Sequence, residues 1–261
     1  MSYFARIKEE ISKIIHKQPE HQFLHFLHIG KTGGTALVYA LNEYGYCAQS
    51  PERARANRPN LYNLNPQPEN SKLTIYVHAH NETLRSVPEG EKFFFFLRDP
   101  ISRFTSGFYS RQRQGKPRYN SPWTEAEKRA YERFEIVNQL ALALTSANPD
   151  EKKAAENAMK SIQHVRDSFW EWFENEEYFR SRWADIFFIG FQETLAQDFE
   201  TLKAKLHLPA NVSLPSDVVL AYKNVADVDK KLDPIALQNL KDWYKDDYRL
   251  IELCKEFLKH T

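Results

Sequence analysis

The chain has 261 residues, 42% hydrophobic and 14% aromatic, which is enough apolar material for one large domain with a full core. Its 36 Lys and Arg against 35 Asp and Glu leave a net charge of +1, so no strong field draws it to nucleic acid or to a membrane surface. Cys47 and Cys254 alone make no disulfide framework and no zinc spacing, and no run of about 18 uncharged apolar residues reads as a membrane span; the reducing cytoplasm is the expected location.

Residues 1–17 are charged and amphipathic, with Phe4, Ile7, Ile11, Ile14 and Ile15 on one face. They lack a signal-peptide core and read as a helix capping the domain. Residues 23–29, rich in aromatic and branched side chains, read as a buried strand. A glycine loop follows, Gly30-Lys31-Thr32-Gly33-Gly34-Thr35, and then a helix over 35–44. Such a turn gathers backbone N–H groups at a helix N-terminus, where an anion is favoured. Lys31 and the hydroxyls of Thr32 and Thr35 add a cation and further donors, so the natural ligand is a phosphate or a similar oxyanion. The loop is not the nucleotide P-loop, because the lysine precedes the glycine pair.

Residues 49–71, rich in Pro, Asn and Arg, read as a long loop whose Arg53, Arg55 and Arg58 are expected on a solvated face. Residues 73–77 form a second strand running into His78-Ala79-His80. Residues 92–97, with four consecutive phenylalanines, form a third strand covered on both faces, as in a parallel sheet. Asp99 is a good N-cap and Pro100 a good first residue for a helix over 101–112. Arg98 stands at the carboxyl end of its strand, where open α/β sheets bind ligands. With Ser106 and Arg103 it is placed to converge on one phosphate through its planar fork.

Beyond that, 124–145 carries Phe134, Val137, Leu140, Ala141 and Leu144 at helical spacing and predicts one helix. Further helices are predicted over 151–166, 193–208 and 234–258, and a strand over 185–190. The aromatic run 169–183 reads as packing. The basic residues Arg111, Arg113, Lys116 and Arg118 suit either an anionic partner or a solvated loop, and a proline-marked loop leads to Tyr222-Lys223-Asn224. Strands alternating with helices predict a single α/β domain over 1–261, three-layered, with a mostly parallel central sheet and a helical insertion at about 124–183.

The loop Lys31-Thr32-Gly33-Gly34-Thr35 resembles the phosphosulfate-binding loop of sulfotransferases, which use 3′-phosphoadenosine 5′-phosphosulfate (PAPS). That family usually carries proline where this chain has Gly30. Arg98-Asp99-Pro100 with Arg103 and Ser106 resembles the family's 3′-phosphate motif, in the family's order. Residues 188–195, with Asp198 and Leu202, are similar to a late strand–helix segment of the family. Tyr244-Lys245-Asp246-Asp247-Tyr248 is similar to the C-terminal helix of Golgi-type carbohydrate sulfotransferases. The resemblance spans residues 23–255.

It implies a P-loop-like domain that moves the sulfuryl group of PAPS to a hydroxyl, with a carbohydrate as the expected acceptor and no metal. Lys31 would neutralise charge on the bridging oxygen, and Thr32, Gly33, Gly34 and Thr35 would hold the 5′-phosphate. Arg98, Arg103 and Ser106 would hold the 3′-phosphate. His78-Ala79-His80 resembles the His-x-His of uronyl 2-O-sulfotransferases, whose second histidine matches His80; His80 is thus the expected base, with Glu82 and Glu43 behind it. The other readings are an ATP-dependent phosphotransferase, which would need a Walker lysine and a magnesium carboxylate, and a non-catalytic relative that binds nucleotide or glycan.

Overall fold

The computed structural model describes residues 21–60, 62–66, 72–117, 119–216 and 228–260. The amphipathic helix expected over 1–17, the Tyr222-Lys223-Asn224 segment and Arg118 lie outside them. Five strands make one all-parallel sheet: β1 (Gln22–Leu27), β2 (Cys47–Gln49), β3 (Leu73–His78), β4 (Phe93–Leu97) and β5 (Ile186–Phe191). Their order across the sheet is β2-β3-β1-β4-β5, so the chain changes direction at the β1/β4 boundary. Leu27 lies opposite His78 on one side and Phe95 on the other. The segments leaving β1, β3 and β4 therefore emerge together at one carboxyl edge, where such sheets bind ligands.

The four phenylalanines of β4 alternate between two cores, as strand geometry requires. Phe94 and Phe96 join Leu24, Phe26, helix α1 (Gly34–Asn42) and helix α9 (Leu195–Lys205) on one face. Phe93 and Phe95 join Leu27, short helices α7 (Trp170–Phe173) and α8 (Glu176–Ser181), and helix α11 (Lys245–Lys259) on the other. Gly190 lies beside Phe96, whose ring is 2.3 Å from where a Cβ would stand, so β4 and β5 close up only because β5 has glycine there. Cys47 and Cys254 are free thiols buried in the two separate cores.

A third core lies beyond the sheet. It gathers α3 (Pro100–Gln112), α4 (Glu125–Arg133), α5 (Val137–Ala143), α6 (Pro149–Ser161) and α10 (Pro234–Trp243) around Phe104, Phe108, Val137, Leu140, Met159 and Leu240. Helices α4, α5 and α6 of the insertion thus have their own apolar centre, into which α3 packs, whereas α7 and α8 pack on the sheet.

Several expected boundaries shift. The helix predicted over 124–145 is two helices, α4 and α5. Gln139 Oε1 accepts the N–H groups of Glu135 (2.9 Å) and Ile136 (3.3 Å), satisfying the donors freed at the break. The helix predicted over 234–258 breaks at Tyr244 into α10 and α11. The helix over 151–166 ends at Ser161. The segment read as loop from 49 onward contains the end of β2 and a short helix α2 (Pro51–Arg55), capped by Ser50. Arg53 is not solvated: it is 9% exposed and its Nε donates to the Pro59 carbonyl at 3.1 Å, while Arg55 and Arg58 are exposed. Among the described residues, no helix is long and apolar enough to cross a membrane.

Candidate active site

The loop after β1 departs from ordinary backbone at two points. Lys31 has φ 71° and Gly33, the N-cap of α1, has φ 87°. Glycine takes that region without strain, whereas Lys31 is held there by its surroundings. Two arginines from the segment after β4 supply part of the hold. Arg103 Nε donates to the Gly30 carbonyl at 3.0 Å and Arg98 Nη1 to the Lys31 carbonyl at 3.4 Å. The Thr32 hydroxyl donates to the Ile29 carbonyl at 3.0 Å. Three successive carbonyls are thereby engaged on the protein side, and the α1 N-terminus is left facing a cavity.

That cavity, of about 560 Å³, is lined by Lys31, Gly33, Gly34, Thr35, His80, Arg98 and Ser106 among others. Seven of the nine residues singled out from sequence therefore meet in one space. Two do not line it. Thr32 is buried, with its hydroxyl turned to Ile29. Arg103, expected to reach a phosphate, is 1% exposed behind the loop; besides Gly30 it bonds the Asp167 carbonyl at 2.5 Å, and it lies over the Phe169 ring at 4.8 Å. Its part is to brace the loop. Arg98 is further oriented by Ser102, whose hydroxyl accepts from Nε at 2.8 Å.

Three histidines share the cavity wall. His28 and His80 have ring centroids 4.5 Å apart, and His80 meets His164 edge-on at 5.7 Å. The Tyr62 hydroxyl and His28 Nδ1 are hydrogen-bonded at 2.7 Å. His80 is exposed on the cavity side, with the rings of His28 and His164 packed against it. Desolvation, then His28, His164, Lys31 and Arg103, hold its pKa well below the ordinary histidine value. The alternative bases are elsewhere. Glu82 is buried and accepts from the Ser50 hydroxyl and the Ala79 N–H, each at 2.5 Å; Glu43 caps the exposed end of α1. Neither lines the cavity.

The basic run offers less than its sequence suggests. Arg111 is 2% exposed and forms a two-pronged pair with Glu127, Nε–Oε1 at 2.8 Å and Nη2–Oε2 at 2.7 Å. It also bonds the Ser121 and Pro122 carbonyls, so it fixes the loop that carries Tyr119 and Ser121 to the cavity rim.

The two late motifs act as braces. Asp198 Oδ2 accepts from the Phe191 N–H and the Thr194 hydroxyl, both at 2.7 Å, which sets the turn delivering Gln192 and Leu195 to the cavity. Tyr248 donates to Asp99 at 2.8 Å, and Tyr244 donates to the Val165 carbonyl at 2.8 Å. Asp247 accepts from Ser168 and the Phe169 N–H. The start of α11 therefore ties the Arg98-Asp99-Pro100 turn to the segment carrying His164.

The family profile described as "Sulfotransferase family" matches residues 16–252 of this chain. The chain belongs to the sulfotransferase family. No curated protein matches it. The family assignment makes this an enzyme of sulfuryl transfer, and the family's donor is PAPS. The donor set of this sulfotransferase suits such a group: Lys31, Arg98, Thr35 and Ser106 line the cavity, and among the described residues no carboxylate does.

Reading the sequence alone passes over His28, Tyr62 and His164. His28 lay inside the strand run and carried a weak signal, two residues before Gly30. Nothing local marks Tyr62 or His164, which reach the cavity from distant segments.

Proposed function

We propose that this sulfotransferase moves the sulfuryl group of PAPS onto a hydroxyl of a saccharide, with His80 as the base. The observation that carries the reading is one cavity lined at once by Lys31, Arg98, Ser106 and His80. When bound, PAPS supplies an activated sulfuryl group on a good leaving phosphate. The backbone at Gly33, Gly34 and Thr35 offers the α1 N-terminus to the 5′ end, and Lys31 sets a cation beside the charge that develops there. Arg98 and Ser106 hold the 3′-phosphate. His80 accepts the hydroxyl proton, which its lowered pKa permits by keeping the ring neutral at pH 7.

A saccharide acceptor is supported by the rim. Tyr39 and Tyr119 line the cavity and remain 39% and 40% exposed, presenting aromatic faces of the kind that pack on sugar rings. Ser121, Gln163 and Gln192 add hydrogen-bonding groups suited to hydroxyls. The test is incubation with sulfur-labelled PAPS and a panel of saccharides, phenols and lipid alcohols. Label on a saccharide supports the reading; label confined to phenols or lipids removes the carbohydrate assignment.

A further inference from the structure

Gly30 separates two imidazoles. A Cβ on it would stand 2.9 Å from His164 Nδ1 and 3.2 Å from His80 Nδ1. Gly107 of α3 makes similar room for the backbone of His164, 3.2 Å from where its own Cβ would be. His164 itself sits at φ 68°, a conformation that its attachments impose. Those attachments are Tyr244 on the Val165 carbonyl and Arg103 on the Asp167 carbonyl.

His164 is 7% exposed and lines the cavity, and its Nδ1 has no hydrogen-bond partner. Asp167 Oδ2 lies 3.7 Å from that nitrogen and accepts the His164 backbone N–H at 3.1 Å. The charged groups acting on His164 are Lys31 from the loop, Arg103 from α3 and Asp167 from its own turn. The main charged influences on His80 are His28, His164, Lys31 and Arg103, and among the described residues no carboxylate lines its cavity. A proton held on His80 therefore sits among cations and imidazoles. On His164 it sits beside Asp167.

We propose that His164, backed by Asp167, is the second station of the proton path in the transfer reaction. As the acceptor oxygen bonds to sulfur and the bond from sulfur to the leaving phosphate oxygen breaks, the hydroxyl proton passes to His80. It then moves to His164, where the Asp167 carboxylate balances the charge, and leaves to solvent. His80 is restored neutral, and no other reactant is consumed. His164 receives the proton only through His80. The inference rests on the proposed role of His80.

The test is a pH titration of the histidine ring nitrogens by NMR on the full chain, for the wild type, Asp167→Asn and His164→Asn. Asparagine is chosen at 164 because it tolerates positive φ. In the wild type His164 takes its proton at higher pH than His80. In Asp167→Asn the His164 midpoint falls by about one pH unit, a tenfold loss of proton affinity. In His164→Asn the His80 midpoint rises, because a like-charged neighbour is gone. Protonation of His80 before His164 in the wild type overturns the proposal even if neither variant folds. So does an unmoved His164 midpoint in Asp167→Asn. Adding adenosine 3′,5′-bisphosphate separates the two readings. Failure to bind it counts against the donor site, whereas the titration order judges the proton path.

Discussion

Arg103 Nε donates to the carbonyl of Gly30 at 3.0 Å, joining the first residue of the anion loop to the first turn of α3. The same guanidinium bonds the Asp167 carbonyl, so one buried side chain spans the loop, the helix after β4 and the segment carrying His164. Burial lowers its pKa, while Asp247, Tyr244, Asp167 and Glu171 oppose that shift.

Replacing Arg103 with methionine keeps the bulk and removes both carbonyl bonds. Each buried acceptor left without a partner costs about 1–3 kcal/mol. The two together cost about 2–6 kcal/mol, and at roughly 2–4 °C per kcal/mol for a chain of this size the melting temperature falls by about 4–24 °C. Affinity for adenosine 3′,5′-bisphosphate falls as a consequence of a loosened loop. An unchanged melting temperature with lost affinity would restore Arg103 as a direct phosphate ligand.

Lys31→Ala and His80→Ala separate two roles. With an acceptor found by the labelled-PAPS screen, each lowers turnover by about 10²–10⁴-fold. Calorimetry shows bisphosphate affinity nearly intact in His80→Ala and modestly reduced in Lys31→Ala. A base acts deprotonated, and the pKa of His80 lies below the ordinary value. The rate of the wild type therefore reaches its plateau below pH 6.5, and activity falls only on further acidification. A rate still climbing between pH 7 and 8 would assign the base to another group.

The sheet carries a second histidine pair remote from this chemistry. His25 Nδ1 and His78 Nε2 are hydrogen-bonded at 2.8 Å, and His25 Nε2 meets Glu91 at 2.6 Å. Burial, then His25, takes His78 to about 3, and burial lowers His25 despite Glu91. Both take protons near pH 6.5 when unfolded, and burial resists that protonation in the folded chain. Unfolding is thus increasingly favoured as pH falls from 6.5 toward 3, by up to about 1.4 kcal/mol per pH unit for His78, with His25 adding in the same direction. Melting temperature measured across that window declines steeply, and His78→Gln flattens the decline. An unaltered slope in the variant would place the acid sensitivity elsewhere.

The Arg111–Glu127 pair anchors the helical insertion. Burial pushes Glu127 upward, but Arg111 and the backbone N–H groups of Thr124 and Gln163 outweigh it and bring the carboxyl to about 2. Its stabilisation is present above pH 4.5 and lost as pH falls toward 2. Glu127→Ala leaves Arg111 buried without its partner and costs about 3–5 kcal/mol by chemical denaturation. The same change releases the Gln163 N–H, bonded to Oε1 at 3.2 Å, and disturbs the neighbouring His164. A loss below 1 kcal/mol would mean that Arg111 finds other partners.

What could be read in sequence was what lies close along the chain. The β1–loop–α1 unit and the Arg98-Asp99-Pro100 turn have local causes: a glycine at Gly33, where φ turns positive, and Asp99 accepting the Ser102 N–H at 2.8 Å. β2 escaped because three residues are too few for a periodic pattern. The breaks at Phe134 and Tyr244 escaped because neither glycine nor proline marks them. Phe134, Val137, Leu140 and Leu144 are all buried across the first break, so the apolar pattern runs through it. Arg103 and Arg111 show the other limit. An arginine's charge is visible in sequence, whereas the carbonyl or carboxylate that occupies it is set by the fold. Tyr62 and His164 reach the cavity only through tertiary structure, and the resemblance carried no residue onto them.

In the proposed function the Lys31 loop and the Arg98/Ser106 helix form the two ends of one donor site. Calorimetry of the wild type and Arg98→Ala with adenosine 3′,5′-bisphosphate and with AMP tests it most directly. A charge-assisted phosphate contact is worth roughly 1.5–3 kcal/mol, so the wild type prefers the bisphosphate by about tenfold or more. Arg98→Ala erases that preference and leaves AMP affinity little changed. Equal affinity of the wild type for the two nucleotides would contradict the account.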